Sequence, residues 1–332
     1  MYSYKPETKV LITVFVPAYN HEKYVWEALE SIRHQTYQQF ELIIVDDKST
    51  DNTAGIIQQW IEKFNVQCTF IRHEKNIGLV KTLNEIISIS KGKYWLGIAS
   101  DDLNMTDRLE KIISVFENLP DEFGLVCSNW ENVNQNGEHL SFGLPPDFIF
   151  PENPFLYLLN PSQVLFQAYC FRTDYLKQIG LYSTAYLQED YSMSLHFTRK
   201  YKVKYMPEVL TKYRVLQNSF GKNLANRPVM AYDSFRLLKS LNVEKKEEKK
   251  AVARQFLVLL EEFHSLNYYD RKLDLTNRKN QMNEMLNDSK SFLRSNFFFR
   301  WLNFCVRNNI SFKKWLFVRN KMKRVESVFK RK

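Results

Sequence analysis

Two apolar runs that stop at the same kind of boundary constrain this chain more than any other feature. Residues 9–16 (Lys-Val-Leu-Ile-Thr-Val-Phe-Val) are rich in β-branched side chains and end at the turn Pro17-Ala18-Tyr19-Asn20, and residues 40–45 end in Asp46-Asp47. Runs of this length and composition are buried strands. After each, apolar residues recur at helical spacing: Val25, Trp26, Leu29 and Ile32, then Ile56, Ile57, Trp60 and Ile61. The cluster Ser49-Thr50-Asp51-Asn52 supplies an N-cap for the second of these helices. The pattern then repeats. Phe70-Ile71 is a short strand, residues 78–90 a helix, residues 94–99 a strand that again runs into acids, and a helix from about Thr106 carries Leu109, Ile112, Ile113 and Phe116. Strands alternating with helices predict a three-layer α/β/α sandwich, Rossmann-like, with a mainly parallel sheet. Ligands of such sheets bind beyond the carboxyl ends of the strands. Tyr19, Asp47 and Asp101-Asp102 therefore fall along one rim.

Charge separates the two ends of the chain. Residues 290–332 hold thirteen Lys/Arg against the single acid Glu326, a charge of +12, so residues 1–289 carry about −2 of the total +10. A near-neutral body argues against a nucleic-acid-binding core, and a basic end calls for a local anionic partner. At 44% hydrophobic and 15% aromatic the chain builds a sizeable core. Cys68, Cys127, Cys170 and Cys305 lie far apart, without metal-ligand spacing, and read as core residues of a reducing compartment. Residues 1–9 are polar, and no apolar stretch reaches the roughly 18 residues of a membrane span. The expected location is the cytoplasm, at the inner face of the cell membrane.

One Asp-Asp pair is ambiguous, because acids at strand ends also cap the next helix. Two pairs at successive strand ends suggest more. A nucleotide-sugar presents a diphosphate that needs a divalent cation, and Mn²⁺ or Mg²⁺ prefers carboxylate oxygens. Further on, Gln188-Glu189-Asp190-Tyr191 opens a helix through Met193, Leu195 and His196. These acids read either as N-terminal helix acids or as a base for a sugar hydroxyl.

In order and spacing, Val16-Pro-Ala-Tyr-Asn20, Glu41-Leu-Ile-Ile-Val-Asp-Asp-Lys-Ser-Thr-Asp51, Asn76-Ile-Gly78, Ser100-Asp-Asp-Leu-Asn-Met-Thr-Asp-Arg-Leu109 and Glu189-Asp190 resemble the inverting glycosyltransferases of family 2, bacterial surface-glycan type. The resemblance covers residues 9 to about 220 and implies the GT-A fold and an enzyme, a hexosyl- or related transferase. It also implies that Pro17, Ala18 and Tyr19 border a nucleobase and that Asp47 accepts a hydrogen bond from uracil. Asn76, Gly78 and Lys81 would adjoin base or phosphate. Ser100 and Asp101 would meet the ribose side, and Asp102 would ligate the metal. Asp190 would be the general base, with Glu189 beside it on the acceptor. Relatives often carry an acid where this chain has Ala99 and a histidine where it has Leu216, so the diphosphate and water complete the metal shell around Asp102.

The implied reaction moves a sugar from a nucleotide-sugar, a UDP-sugar above all, to a glycan or lipid-linked acceptor in surface polysaccharide synthesis. The alternatives are a sugar nucleotidyltransferase, for which Pro17-Ala18-Tyr19-Asn20 lacks the glycine-rich phosphate loop, and a non-enzymatic membrane- or nucleic-acid-binding protein, which leaves the strand-end acids unexplained. Asn129-Trp130 reads equally as a sugar-pocket floor or a core pair, Phe166 to Tyr169 and Tyr186 more as core than as acceptor cleft, and His21, His34 and His73 as surface residues. The expected domains are residues 1–225 (donor half about 1–105, acceptor half about 106–225) and a helical, basic extension, 226–332. Within the extension, Asn296, Arg300, Asn303 and Arg307 form a polar stripe on an aromatic helix. From there through residue 332, aromatic and basic residues together suit peripheral contact with an anionic membrane.

Overall fold

The computed structural model describes residues 11–160, 168–216, 226–269, 275–293 and 296–307. Its secondary structure matches the sequence periodicity closely at the start. Strand β1 (Ile12–Ala18) leads to α1 (Val25–Arg33), β2 (Phe40–Asp46), α2 (Thr53–Phe64), β3 (Thr69–Arg72), α3 (Leu79–Ile89) and β4 (Tyr94–Gly97). Helix α1 buries Val25, Ala28, Leu29 and Ile32, the one face that 3.6-residue spacing allows. Helix α2 stops at Asn65, which adopts the left-handed conformation with φ 48°, a role asparagine tolerates. The expected side-chain cap of α2 is absent at Asn52. Asp51 instead accepts from the Thr53 N–H at 3.0 Å and its hydroxyl at 2.5 Å.

The chain continues through β5 (Leu103–Asn104), α4 (Arg108–Glu117), β6 (Phe123–Val133), β7 (His139–Phe142), α5 (Pro154–Leu158), β8 (Ala168–Arg172), α6 (Thr173–Ile179), α7 (Glu189–Lys200) and β9 (Lys202–Arg214). One sheet of nine strands runs β3-β2-β1-β4-β8-β6-β9-β5, with β7 paired to β6. The parallel expectation holds for β3-β2-β1-β4. Beyond it the sheet is mixed: β8 is antiparallel to β4 and β6, β9 is parallel to β6, and β5 is antiparallel to β9. Local patterning does not reveal direction, and β6, β8 and β9 are joined by long excursions that permit either sense.

Phe15 on β1 stacks on Trp95 of β4 with ring centroids 3.7 Å apart. Gly97 makes room for it, since a Cβ there would lie 2.3 Å from Phe15 Cζ. Trp60 is fully buried and donates its indole N–H to Glu30 at 2.7 Å. Burial of each aliphatic core side chain contributes roughly 1.5–3 kcal/mol, enough to hold the strand ends in fixed register.

The chain divides into two compact units. The first comprises residues 1–158, 164–185 and 189–217, the second residues 159–163, 186–188 and 218–332. The second unit contains α8 (Arg227–Ser240), α9 (Lys246–Tyr269), α10 (Leu275–Leu293) and α11 (Phe297–Arg307). Phe235 and Phe256 pack at 4.5 Å between α8 and α9, and Lys239 pairs with Asp288 at 2.6 Å. Asp233 on α8 accepts the Leu187 and Gln188 N–H groups at 2.8 and 3.3 Å. Among the described residues no helix is long and apolar enough to cross a membrane.

Candidate active site

The parallel strands β2, β1 and β4 end side by side, and their C-terminal residues are cross-tied. Asp47 N–H donates to the Ala18 carbonyl at 2.9 Å, joining the ends of β2 and β1. Asn20, in the left-handed region with φ 56°, accepts from Thr50 N–H at 2.7 Å. His21 Nδ1 lies 2.7 Å from Ser100 Oγ and 3.7 Å from Asp101, joining β1 to the turn after β4. Tyr19 stands 45% exposed on this rim and Pro17 is half-buried in β1.

Asp47 is buried. Its Oδ1 accepts from Ile77 N–H at 2.8 Å and its Oδ2 from Gly78 N–H at 2.8 Å. The carboxylate therefore gathers residues 76–78 against the rim. Gly78 precedes α3 with φ 86°, a conformation that side chains other than glycine's strain to adopt. Asn76 is exposed in this loop, and Lys81 is exposed on α3. No hydrogen bond or ion pair joins Lys81 to the network among the described residues.

The turn Ser100-Asp101-Asp102 is held from β9. Arg214 N–H donates to Asp102 Oδ1 at 2.7 Å, and its Nε–H donates to the Asp101 carbonyl at 2.8 Å. The same guanidinium reaches the Gln135 carbonyl at 2.9 Å and Glu27 at 2.9 Å, and lies 4.7 Å over the Tyr24 ring. Asp102 is 5% exposed. Burial, then the neighbouring Asp101 charge, pushes its carboxyl well above the carboxylate range, and burial raises Asp101 as well. Arg108 is fully buried behind them, bonded to Asn104 and at 3.4 Å to the Tyr169 carbonyl. Desolvation lowers its pKa to about 10, which still leaves it charged at neutral pH.

Two adjacent carboxylates, Asp102 buried and Asp101 half-buried, both held from ionising, suit a divalent cation, which relieves both desolvation and mutual repulsion. Their donor set is all oxygen, the kind Mn²⁺ and Mg²⁺ take. Among the described residues no group of three or more His, Cys, Asp or Glu is arranged as a metal site. Ala99 contributes only its carbonyl, bonded to Asp102 N–H at 3.0 Å, and Leu216 is half-buried after β9.

Glu189 and Asp190 open α7. Asp190 is accessible to water and accepts Tyr191 N–H at 2.6 Å. Protein crowding raises its carboxyl, and burial together with the Asp190 charge pushes Glu189 up to about 7. Tyr213 is half-buried near the end of β9. Burial and the charges of Asp102, Asp101 and Asp190 push its phenol up to about 12. The segment ahead of α7 is also fixed. Asn84 on α3 donates to the Tyr182 carbonyl at 2.9 Å and accepts Tyr182 N–H at 2.9 Å, and Tyr182 Oη lies 3.3 Å from Tyr169 Oη.

Two histidine expectations need correction, and the structure decides the open alternatives. His21 and His73 are not surface residues: His21 ties β1 to Ser100, and the His73 side chain is 10% exposed between Asp47 and Glu85. Only His34 is exposed as expected. Trp130 is a core residue, buried with Leu144 and Ala168, and a Cβ on Gly143 would sit 2.0 Å from its indole. Phe166 lies outside the described residues, Tyr169 is bonded to Tyr182, and Tyr186 Oη donates to Ser240 at 2.8 Å. Sequence alone does not single out Arg214, Arg108, Glu85 or Asn84. The Tyr213-Arg214 pair at the end of a strand is the one available signal, and nothing local to it distinguishes this arginine from a solvated one.

Comparison with known proteins bears on the family and the fold. The family model described as Glycosyl transferase family 2 matches residues 13–177. The chain is similar to an uncharacterized glycosyltransferase of Rickettsia typhi, 28% identical over 275 residues, spanning 80% of this chain and 83% of that protein. It is also similar to an uncharacterized glycosyltransferase of Methanocaldococcus jannaschii, 29% identical over 209 residues, spanning 62% and 71%. Among solved structures it resembles S. aureus TarS 1–349, with a TM-score of 0.65 at 19% identity over 94% of this chain and 91% of that one. This likeness speaks to the fold, a GT-A-like α/β architecture.

Proposed function

This chain is a glycosyltransferase of family 2, and we propose that it is an inverting enzyme moving a sugar from a UDP-sugar to a glycan or lipid-linked acceptor in surface polysaccharide synthesis. The observation that carries the reading is the turn after β4, where Arg214 N–H holds the buried Asp102 carboxylate beside Asp101. The charges of this pair and of Asp190 together raise the Tyr213 phenol, which supports donor and acceptor groups acting in one neighbourhood. The solved structures that resemble this chain include S. aureus TarS in complex with UDP and with UDP-GlcNAc, which supports a uridine donor.

In this reading Pro17, Ala18 and Tyr19 border the base. Asp47 keeps unused acceptor capacity on Oδ2 for an imide N–H. Asn76, Gly78 and Lys81 adjoin base or phosphate, Ser100 and Asp101 the ribose. Asp102 would hold Mn²⁺ or Mg²⁺ together with the diphosphate, and a bound cation would supply Lewis-acid neutralisation of the diphosphate charge. Asp190 takes the proton of the acceptor hydroxyl while its oxygen attacks the anomeric carbon in line. The bond to phosphate breaks as the new glycosidic bond forms, and the nucleoside diphosphate leaves with the electron pair. Glu189 binds the acceptor beside it. The test is a panel of UDP-, dTDP- and GDP-sugars with Mn²⁺, read by slow donor hydrolysis and protection from thermal unfolding. UDP-sugars should protect, Asp102→Ala should abolish the metal-dependent part, and a protein indifferent to every donor refutes the reading.

Peripheral membrane contact through residues 291–332, on the cytoplasmic face, belongs to the same proposal. In α11, Phe299 and Leu302 are buried whereas Arg300 and Phe304 are exposed. Residues 308–332 lie outside the described residues. Truncation before Lys290 should abolish co-sedimentation with anionic vesicles, and unchanged binding removes the membrane component.

A further inference from the structure

Asp47, His73 and Glu85 form a continuous hydrogen-bonded line from the end of β2 to α3. His73 Nδ1 lies 2.7 Å from Asp47 Oδ1, and its Nε2 lies 2.8 Å from Glu85 Oε2. A neutral imidazole carries one N–H and cannot donate to both carboxylates, whereas the imidazolium carries two. The geometry therefore calls for the charged form. Asp47 receives three donors in all, from His73, Ile77 N–H and Gly78 N–H. His73 N–H in turn donates to the Asp46 carbonyl at 3.0 Å. The segment from His73 to Gly78 is thus pinned at both ends on one carboxylate and its neighbour.

The surroundings isolate this line. The Asp47 and His73 side chains are 8% and 10% exposed, and that of Glu85 is 36% exposed. Arg72 at the end of β3, Glu74 and Lys75 in the segment itself, Lys48 after β2 and Lys81 on α3 are all exposed. The Asp46 carboxylate is engaged by the Ser49 N–H and hydroxyl. Among the described residues the charged groups bonded to the ring are Asp47 and Glu85 alone.

We propose that His73 is a positioning residue that, bridging Glu85 and Asp47 as an imidazolium, fixes the carboxylate and the loop against which the donor nucleobase binds. This rests on the reading of Asp47 as a donor-site residue. Burial by itself would lower the imidazolium's pKa, but the hydrogen bonds it donates to Asp47 and Glu85, with their charges, outweigh it and leave it raised. The clamp's contribution is then complete below the ordinary histidine value and is lost as pH rises through the raised one. Donor affinity should fall across the same interval, because a neutral ring must give up one of its two carboxylates.

The test is calorimetric titration of UDP between pH 6 and about 9 into the full chain and its His73→Gln, Glu85→Gln and Asp47→Ala variants, with an NMR titration of the His73 ring. Wild-type affinity should drop roughly tenfold across the transition. His73→Gln should be weak and flat with pH, and Glu85→Gln should keep the low-pH affinity while moving the transition to lower pH. If His73→Gln binds UDP with wild-type affinity and pH profile while Asp47→Ala does not, the clamp is wrong and the donor reading stands. If Asp47→Ala also binds like wild type, the donor reading beneath it fails. A His73 ring titrating at or below the ordinary histidine value overturns the clamp even where a variant does not fold.

Discussion

Arg214→Lys separates charge from geometry at the turn that carries Asp101 and Asp102. The native guanidinium makes three strong contacts, to the Asp101 carbonyl at 2.8 Å, the Gln135 carbonyl at 2.9 Å and Glu27 at 2.9 Å. The Glu27 side chain is 60% exposed, so water replaces that partner at a cost of about 0–1 kcal/mol. The two carbonyls accept from a charged donor, each contact being worth about 1.5–3 kcal/mol. A lysine ammonium has one head and reaches one of them. The net loss is about 2–4 kcal/mol, or a fall in melting temperature of roughly 5–15 °C for a unit of this size. The backbone N–H that holds Asp102 survives the substitution, so the fold and the Asp102 carboxylate stay in place while the turn loosens. Differential scanning calorimetry should show the shift, and titration with UDP and Mn²⁺ should show weaker binding in the same variant. A lysine variant that melts within about 1 °C of wild type and binds UDP equally well refutes the reasoning.

Asp190→Asn should bind UDP normally and lose transfer by roughly 10²–10⁴-fold in single-turnover assays; near-full activity would move the base role to another residue. Glu189→Gln should remove the inflection near pH 7 from the transfer profile, since Glu189 is the group pushed up to about 7. The same substitution should gain stability relative to wild type as pH rises from Glu189's ordinary value toward about 7, because a raised carboxyl favours the fold only while protonated. An inflection or stability profile identical to wild type would show that Glu189 is not its source. Gly78→Ala meets no atom within 4 Å but must adopt φ 86°, at a cost of about 1–3 kcal/mol. It should weaken UDP binding through the Asp47 contact, with urea denaturation reading the stability loss.

Strands β1, β2 and β4 and helices α1 to α4 are legible in the sequence because burial on one or both faces imposes a short period on neighbouring residues. Asp47 and Ser100-Asp101-Asp102 are legible for the same reason, since they begin where an apolar run ends and the α/β topology brings those ends to one rim. Period says nothing about direction or partner. The antiparallel placement of β8 and the burial of Trp130 beneath Gly143 arise from packing between distant segments. So does the hydrogen bond from Arg214 to Asp102, 112 residues apart in sequence. His73 shows the limit most clearly. As a residue in a polar segment it looks solvated, and only the meeting of β2's end with α3 encloses it between two carboxylates. The sequence by itself determined which strand ends carry the acids and that they share one rim. The tertiary structure decided which charges face one another, because desolvation and hydrogen bonding act between atoms that chain order leaves far apart.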